Sequence, residues 1–397
     1  MDNLSVKDRF KLKENNFIID PKKECRFFSE RQEVDLDSIS NSLRTDIVTD
    51  LAPKRLIWGT YGSGKTHTLY AVADILETLS VKENNEKPSI LVIYIEAKIL
   101  SKNATFLDVY SDFINKIGKQ RIENLFSMVY SKIIHKYEAL QRNQDNIKEF
   151  IEKDIPNLYI DLYQIIAVSK SFNAPLSTIW RWLSGENIPT KMLDDLGIET
   201  DLTKGDPSTL VEILISIAKL FDNYENQTLM ILLDELDRWD NLNSEAASSL
   251  EMGFMKLCDQ NQQNISLVLS LSASQFIENE SILAFLTLPV IQRIGHHNII
   301  NIPNLTEKEA KALMYKVITH RREKDIDLES ILKNSPKGEK FTKKSYPFSE
   351  EALEQIISNT QMYLVPRNLL QAMTRSAGQA HIEDSNYITT EFIDTNL

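Results

Sequence analysis

Short runs of apolar residues alternate along the chain with longer segments in which apolar positions recur at helical spacing. The short runs are "KRLIW" (54–58), "ILVIYIEA" (90–97), "TLMILL" (228–233), "NISLVLSLSAS" (264–274) and "NIINIP" (298–303). Runs with few interleaved polar residues are typical of strands that are covered on both faces of a parallel sheet. The alternation with helical segments therefore predicts an α/β fold built on a parallel sheet.

The helical segments divide the chain into regions. The pattern is helical, polar and long from 119 to 205, with no strand candidate there, and it is helical again after Pro303. The first 35 residues are predicted to be irregular, followed by a helix over about 35–50. We predict an N-terminal arm and first helix at 1–47, an α/β core at 48–118 and 206–302, a helical insertion at 119–205 and a helical lid at 303–397.

The octapeptide "GTYGSGKT" holds three of the chain's eleven glycines and lies between an apolar run and a helical segment. It fits the pattern G-x-x-x-x-G-K-[ST], in which backbone N–H groups surround a polyphosphate and glycines permit the close approach. The start of the following helix adds the positive end of its dipole. The nucleotide-binding candidates are Gly59, Thr60, Tyr61, Gly62, Ser63, Gly64, Lys65, Thr66 and His67.

Within this loop, Lys65 is expected to reach the β- and γ-phosphates of ATP, and Thr66 is expected to ligate Mg²⁺. The run "MILLDELDRWD" supplies acids at the end of a buried strand, where ligands bind in open α/β sheets. We expect Asp234 to hold the Mg²⁺ shell and Glu235 to polarise an attacking water. A surface pair of acids is the alternative interpretation, and Asp237, Arg238 and Asp240 are predicted to be surface or interface residues.

These motifs resemble those of AAA+ ATPases and are most similar to the origin-recognition initiator clade and its bacterial relatives. The resemblance covers about residues 25–105 and 206–375 and is carried by "GTYGSGKT", "LLDELD", "LSLSAS", "LPVIQRIGHHNIINIPNLTEKEA" and "VPRNLLQ". The stretch "SERQE" at 29–33 resembles that clade's element near the adenine, and "YGSGKTH" resembles ATP-binding proteins of BREX-type phage-defence operons. The resemblance implies a P-loop NTPase core of AAA+ type with a helical insertion and a C-terminal helical lid.

The resemblance also implies roles for three further residues. Ser272, with Ser274 as the alternative, stands in the place of sensor 1, which orients the water and the γ-phosphate. Arg293 stands where such proteins carry an arginine finger that reaches a neighbour's ATP, and a surface arginine is the alternative. Arg367 resembles sensor 2, although Val365-Pro366 before it departs from the family's usual Gly or Asp.

The insertion contains "APLSTIWRWLSGENIP" (174–189), which resembles a helix-turn-helix recognition segment over 175–189. In that interpretation Ser177, Thr178 and Arg181 face a DNA groove or phosphates. The alternative is that the apolar residues and tryptophans of the segment pack the insertion onto the core, since tryptophan side chains favour burial.

Composition limits the partners. The net charge of −12 argues against a broad surface that coats nucleic acid, although a local basic groove remains open. Two cysteines, Cys25 and Cys258, without a CxxC pair indicate a reducing compartment. With no secretion signal and no apolar run long enough for a bilayer, we expect a soluble, cytoplasmic protein without a membrane partner.

The sequence therefore predicts an ATPase that converts ATP and water to ADP and phosphate. It would use ATP-driven conformational change or assembly on DNA or on a protein partner, within a homo- or hetero-oligomer. Phage defence or mobile-element biology, with a protein partner from the same operon, is one setting. A nucleotide-gated signalling switch and a transcription regulator that uses 175–189 are the alternatives, and only DNA binders would show a steep salt dependence.

Overall fold

The computed structural model describes residues 4–25, 27, 30–49, 51–82, 89–98, 100–137, 147–168, 176–259, 264–274 and 282–394. The chain divides into two compact units. We call Met1–Ile39, Gly59–Val72 and Asn301–Leu397 the lid unit, and Ser40–Trp58 and Ala73–Ile300 the sheet unit.

The described chain contains the strands β1 Lys54–Gly59, β2 Ser89–Glu96, β3 Gln227–Asp234, β4 Ile265–Ser272 and β5 Ile299–Asn301. They form one sheet in the order β2-β3-β4-β1-β5. Strand β3 runs parallel to both β2 and β4, with Asp234 opposite Glu96 and Leu233 opposite Leu269. The predicted α/β fold with a parallel sheet is confirmed, and each predicted strand is present.

The apolar runs are buried as their patterns predict. In β3, every residue from Leu229 to Leu233 is fully buried, so the strand is covered on both faces. Helix α10, Pro207–Glu225, packs against β3. It begins sharply, because the Asp206 side chain accepts the N–H of Thr209 and Pro207 occupies the first turn. Because β3 is covered on both faces, its position in the sheet also fixes where Asp234, at its carboxyl end, is placed.

Helices account for most of the rest of the described chain. Two run from one unit into the other, α2 Glu30–Val48 and α3 Lys65–Lys82. The sheet unit contains α4 Phe106–Ile117, α5 Lys119–Lys136, α6 Ile147–Asp154, α7 Ile160–Val168, α8 Leu176–Leu183, α9 Thr190–Leu196, α10 Pro207–Glu225, α11 Ser244–Leu257 and α12 Leu288–Ile294. The lid unit contains α1 Val6–Phe10, α13 Glu307–Arg321, α14 Leu328–Lys333, α15 Glu350–Thr360 and α16 Pro366–Ile382.

The N-terminal arm is more ordered than the sequence pattern predicts. A short helix, α1, begins at a capping box in which Ser5 and Asp8 satisfy each other's backbone groups. Helix α2 begins at Glu30, earlier than the predicted start near residue 35. Phe17 is fully buried against Phe348 of the lid unit, with ring centroids 5.3 Å apart. The arm is therefore part of the lid unit's core.

The insertion is helical in the residues that the structure describes, and it packs into the core of the sheet unit. In α8, Ile179 and Trp182 are buried in that core, and the indole N–H of Trp182 donates to the Thr200 carbonyl at 2.7 Å. Thr178 is only 3% exposed, so the prediction that it faces a DNA groove is wrong. Tryptophan side chains favour burial, so the face of α8 that carries Trp182 turns toward the core.

The other residues of that interpretation remain at the surface. Ser177 is exposed, and Arg181 is half-buried. The Arg181 guanidinium binds the Glu186 carboxylate at 2.9 Å and the Asn187 carbonyl at 3.0 Å. The arginine thus closes the turn after its own helix. Residue 175, where the predicted segment begins, lies outside the described residues. Across the described chain, no helix has both the length and the apolar character needed to cross a membrane.

Candidate nucleotide-binding and catalytic site

The glycine loop joins β1 to α3, as the strand–loop–helix context requires. Gly62 and Gly64 have φ angles of +84° and +109°, in the left-handed region that other residues adopt only with strain. At Gly59 an added Cβ would lie 2.4 Å from the Ile302 carbonyl oxygen, so no side chain fits there. These constraints explain why glycines are concentrated in this octapeptide.

Lys65, the first residue of α3, holds its ammonium group against the loop. The side chain is 7% exposed, and Nζ donates to the carbonyl oxygens of Gly59 at 3.1 Å and Thr60 at 2.9 Å. The Thr60 hydroxyl in turn donates to Asn304 Oδ1 at 2.5 Å. A buried ammonium beside the positive end of an 18-residue helix places two sources of positive charge together. This donor set fits an anion such as a phosphate chain.

The first turn of α16 lies directly on the glycine loop. The Arg367 N–H points at the Gly62 carbonyl, with 3.5 Å between nitrogen and oxygen, and a Cβ added to Gly62 would lie 2.9 Å from the Arg367 Cβ. The Arg367 guanidinium lies 4.1 Å from the centroid of the Tyr61 ring. The structure therefore brings Arg367 to the glycine loop, and its contact with nucleotide stays a prediction.

His67, in the first turn of α3, contacts the N-terminal arm. Its Nε2 lies 3.0 Å from the Glu24 carbonyl oxygen, and burial lowers the pKa of the ring, which favours the neutral form. In that form Nε2–H donates to the carbonyl. The described contacts thus place His67 on the arm. Thr66 lies beside it in α3 and is half-buried.

The Glu24 side chain joins the arm to α13. Its carboxylate binds His320 Nε2 at 2.7 Å and the buried Arg321 guanidinium at 2.7 and 3.0 Å. Burial by itself would raise the pKa of the Glu24 carboxyl, but the bonds from His320 and Arg321 outweigh it and hold the pKa below its usual value. Sequence analysis missed this cluster because its members are far apart in the chain.

Asp234 is the last residue of β3, and both of its carboxylate oxygens are oriented by neighbours. The side chain is 1% exposed; Oδ1 accepts the Glu235 N–H at 2.9 Å, and Oδ2 accepts the Tyr94 hydroxyl at 2.9 Å. Tyr94 comes from the adjacent strand β2. Carboxylate oxygens are the ligands that Mg²⁺ prefers, and neighbours of this kind fix a ligand's direction. Tyr94 escaped sequence analysis because it is an ordinary strand residue.

Glu235 begins the turn after β3 in a conformation that is rare for a residue with a side chain, with φ of 60°. Its carboxylate forms an ion pair with Arg238, which also binds Glu96 at 2.9 Å and the Ala97 carbonyl at 3.0 Å. Burial raises the pKa of Glu235; Asp234 and Glu96 add to the rise, while Arg238 opposes it.

Arg238 is at the surface, as predicted, but it is also a direct partner of the candidate base. Asp237 has a second unpredicted contact, because its Oδ1 accepts the backbone N–H of Ser272 at 2.8 Å. Ser272 ends β4 and is half-buried, while Ser274 is exposed. The sheet unit thus ties the candidate sensor serine to the turn that carries Glu235. Asp240 is exposed, as predicted.

Arg293 lies near the end of α12 and is half-buried. Its guanidinium donates to the Pro289 carbonyl of the same helix at 3.0 Å. Of the stretch "SERQE", residue 29 and the side chains at 30–32 lie outside what the structure describes, so its predicted place near the adenine stays a prediction.

No protein-family model matches the chain, and no curated protein sequence matches it. Solved structures similar to it include Drosophila ORC bound to DNA, at 11% identity and a TM-score of 0.47, covering 99% of this chain and 65% of that one. Aeropyrum pernix ORC1 in complex with DNA has 12% identity and a TM-score of 0.44, and the match covers 92% of this chain and 64% of that one. Cdc6p from Pyrobaculum aerophilum has 12% identity and a TM-score of 0.45, and the match covers 91% of this chain and 65% of that one. The chain spans less than two thirds of each of these relatives.

Proposed function

We propose that the protein is a P-loop ATPase of AAA+ type that converts ATP and water to ADP and phosphate. The observation that carries the proposal is the buried ammonium of Lys65, held by loop carbonyls at the start of α3. The ammonium and the positive end of the helix dipole repel each other when no anion is present. An anion that contacts both of them removes this repulsion, so the site favours anion binding. The two left-handed glycines beside it support a phosphate chain as that anion.

Each of the other site residues receives a role in this proposal. Thr66 and Asp234 would hold Mg²⁺, which supplies positive charge to the oxygens of the β- and γ-phosphates. Lys65 binds the same phosphates through the loop, and Glu235 accepts a proton from the attacking water. Ser272 orients that water, and Arg367 contacts the γ-phosphate from the lid unit.

Titration calorimetry with ATP and Mg²⁺, followed by a phosphate-release assay, tests the proposal. We expect saturable binding at one site and ADP as the product. The result that overturns the proposal is an absence of binding heat at millimolar ATP in folded protein.

We propose further that hydrolysis drives a conformational change or an assembly on DNA or on a protein partner, in phage defence or mobile-element biology. The contact of α16 with the glycine loop supports the conformational change, since it joins the loop that would hold nucleotide directly to a C-terminal helix of the same unit. The burial of Thr178 disfavours a transcription regulator that reads DNA through α8.

A nucleotide-gated switch with slow turnover is the second candidate, and one observation favours it. Glu235 is ion-paired with Arg238, which itself is tied to Glu96. The Arg238 guanidinium occupies the Glu235 carboxylate and opposes the rise in its pKa that burial causes, so turnover would wait for this pair to open. Single-turnover and steady-state rates of ATP hydrolysis distinguish a slow switch from a motor.

Arg293 is proposed to act on the ATP of a neighbouring subunit. Arg293→Ala and Lys65→Ala should each be inactive alone, because one lacks the finger and the other the nucleotide contact. Mixed assemblies would contain interfaces where an intact arginine meets an intact loop, so phosphate release should partly return. Co-assembly is checked by light scattering, and a co-assembled mixture without rescue would contradict the role in a neighbouring site.

A further inference from the structure

We propose that Tyr61 is the positioning residue for Arg367, holding the guanidinium over the glycine loop in the orientation that ATP requires. The inference rests on the proposed function, since it assigns Arg367 to the γ-phosphate. It assigns to Tyr61 a role that the glycine-loop pattern leaves open, because any residue satisfies the pattern at that position.

The stacking geometry carries the first step. Tyr61 is 68% exposed, which is unusual for an aromatic side chain, and the Arg367 guanidinium lies 4.1 Å from its ring centroid. A cation within about 6 Å of a ring centroid is attracted by the negative face of the ring. The exposed ring therefore has a partner, and that partner is the arginine which the proposed function places at the nucleotide.

The backbone of Arg367 is packed closely against the glycine loop, so the conformation of its side chain is what Tyr61 can still select. Val365 is 1% exposed, Pro366 has its φ angle fixed by its ring, and a Cβ on Gly62 would lie 2.9 Å from the Arg367 Cβ. The Cα of Arg367 is thus held against the loop. The long side chain beyond it has many rotamers in solution, and stacking on Tyr61 selects among them.

A ring suits this purpose better than a carboxylate. An acidic partner would use the in-plane N–H donors of the guanidinium and neutralise its charge, and both are needed for a phosphate. Stacking contacts the face of the guanidinium and leaves those donors and the charge available. Tyr61 can therefore orient Arg367 in the same state in which Arg367 binds ATP.

A double-mutant cycle on the full-length chain tests the inference through the ratio of ATP affinity to ADP affinity. Tyr61→Leu should lower this ratio about two- to fivefold, the range for an exposed cation–π pair, because Arg367 discriminates through the γ-phosphate. Tyr61→Phe keeps the ring and should preserve the ratio. Met362→Ala, at an 83% exposed side chain of the lid unit, is the matched surface control.

In the cycle, Tyr61→Leu should cost nothing further once Arg367→Ala is present, because the ring acts only through the arginine. Equal losses in both backgrounds would overturn the inference, and so would an unchanged or increased ATP preference in Tyr61→Leu. Wild-type protein that binds no nucleotide would overturn the proposed function instead.

A readout without nucleotide tests the contact itself. In arginine-labelled protein, the side-chain resonances of Arg367, assigned through Arg367→Lys, should carry the ring-current shift of a group stacked on Tyr61. The shift should vanish in Tyr61→Leu and persist in Tyr61→Phe. Wild-type resonances that match those of Tyr61→Leu would overturn the inference, whatever the outcome for ATP binding.

Discussion

Lys65→Ala should abolish measurable binding of ATP with Mg²⁺, which means a loss of affinity of about 100-fold or more. Hydrogen bonds to charged groups contribute about 1.5–3 kcal/mol each, and an ammonium that reaches both the β- and γ-phosphates makes two such contacts. In the structure Nζ already lies on the loop, bonded to the carbonyls of Gly59 and Thr60. On binding, charged phosphate oxygens would replace the neutral carbonyl oxygens as acceptors for Nζ. The gain in binding free energy from this exchange is lost when the ammonium is removed.

Titration calorimetry on wild-type and variant protein measures the effect. The variant also removes the donor from two loop carbonyls, so its melting temperature must be compared with that of wild type. Lys65→Arg retains the charge with a different shape and should bind weakly, while Lys308→Ala, at an exposed lysine of the lid unit, should bind as wild type does. An affinity in Lys65→Ala within a few-fold of wild type would remove the glycine loop from the nucleotide site.

The parts of the site that sequence analysis predicted are those set by neighbours in the chain. The loop pattern places Lys65 at the start of a helix because strand, turn and helix follow one another directly, and Asp234 follows five apolar residues that the sheet must bury. The structure adds partners from distant segments. Tyr94, which orients Asp234, lies 140 positions away and is indistinguishable by sequence from other strand residues.

The prediction for Thr178 failed because it considered the sequence pattern of one helix without the packing of that helix against the core. Thr178 has the residue type and spacing of a groove-facing position, but the burial of Trp182 and Ile179 turns that part of α8 into the core. Arg238 is exposed, as its charge and its position in the sequence suggest. Yet the turn after β3 places its guanidinium in an ion pair with the Glu235 carboxylate. Exposure predicted from sequence therefore does not separate a solvated side chain from one that pairs with the candidate catalytic carboxylate.

Glu235→Gln should retain ATP binding and lower the hydrolysis rate by about 100-fold or more, because general base catalysis typically contributes 10²–10⁴-fold. Glutamine has nearly the same shape, so it should adopt the same backbone conformation, and its amide oxygen can still accept a hydrogen bond from Arg238. What it loses is the capacity to take a proton from water. Single-turnover phosphate release at saturating ATP measures the chemical step separately from binding.

Glu96→Gln is the control that separates proton transfer from the ion-pair cluster, because Glu96 binds the other terminal nitrogen of the same guanidinium at 2.9 Å. Removing the Glu96 charge should leave hydrolysis within about tenfold of wild type, since Glu235 keeps its carboxylate and its partner. Losses of similar size in both variants would mean that the cluster as a whole, and not the Glu235 carboxylate, supports the reaction. A Glu235→Gln protein that releases phosphate at the wild-type rate would assign the proton to another base.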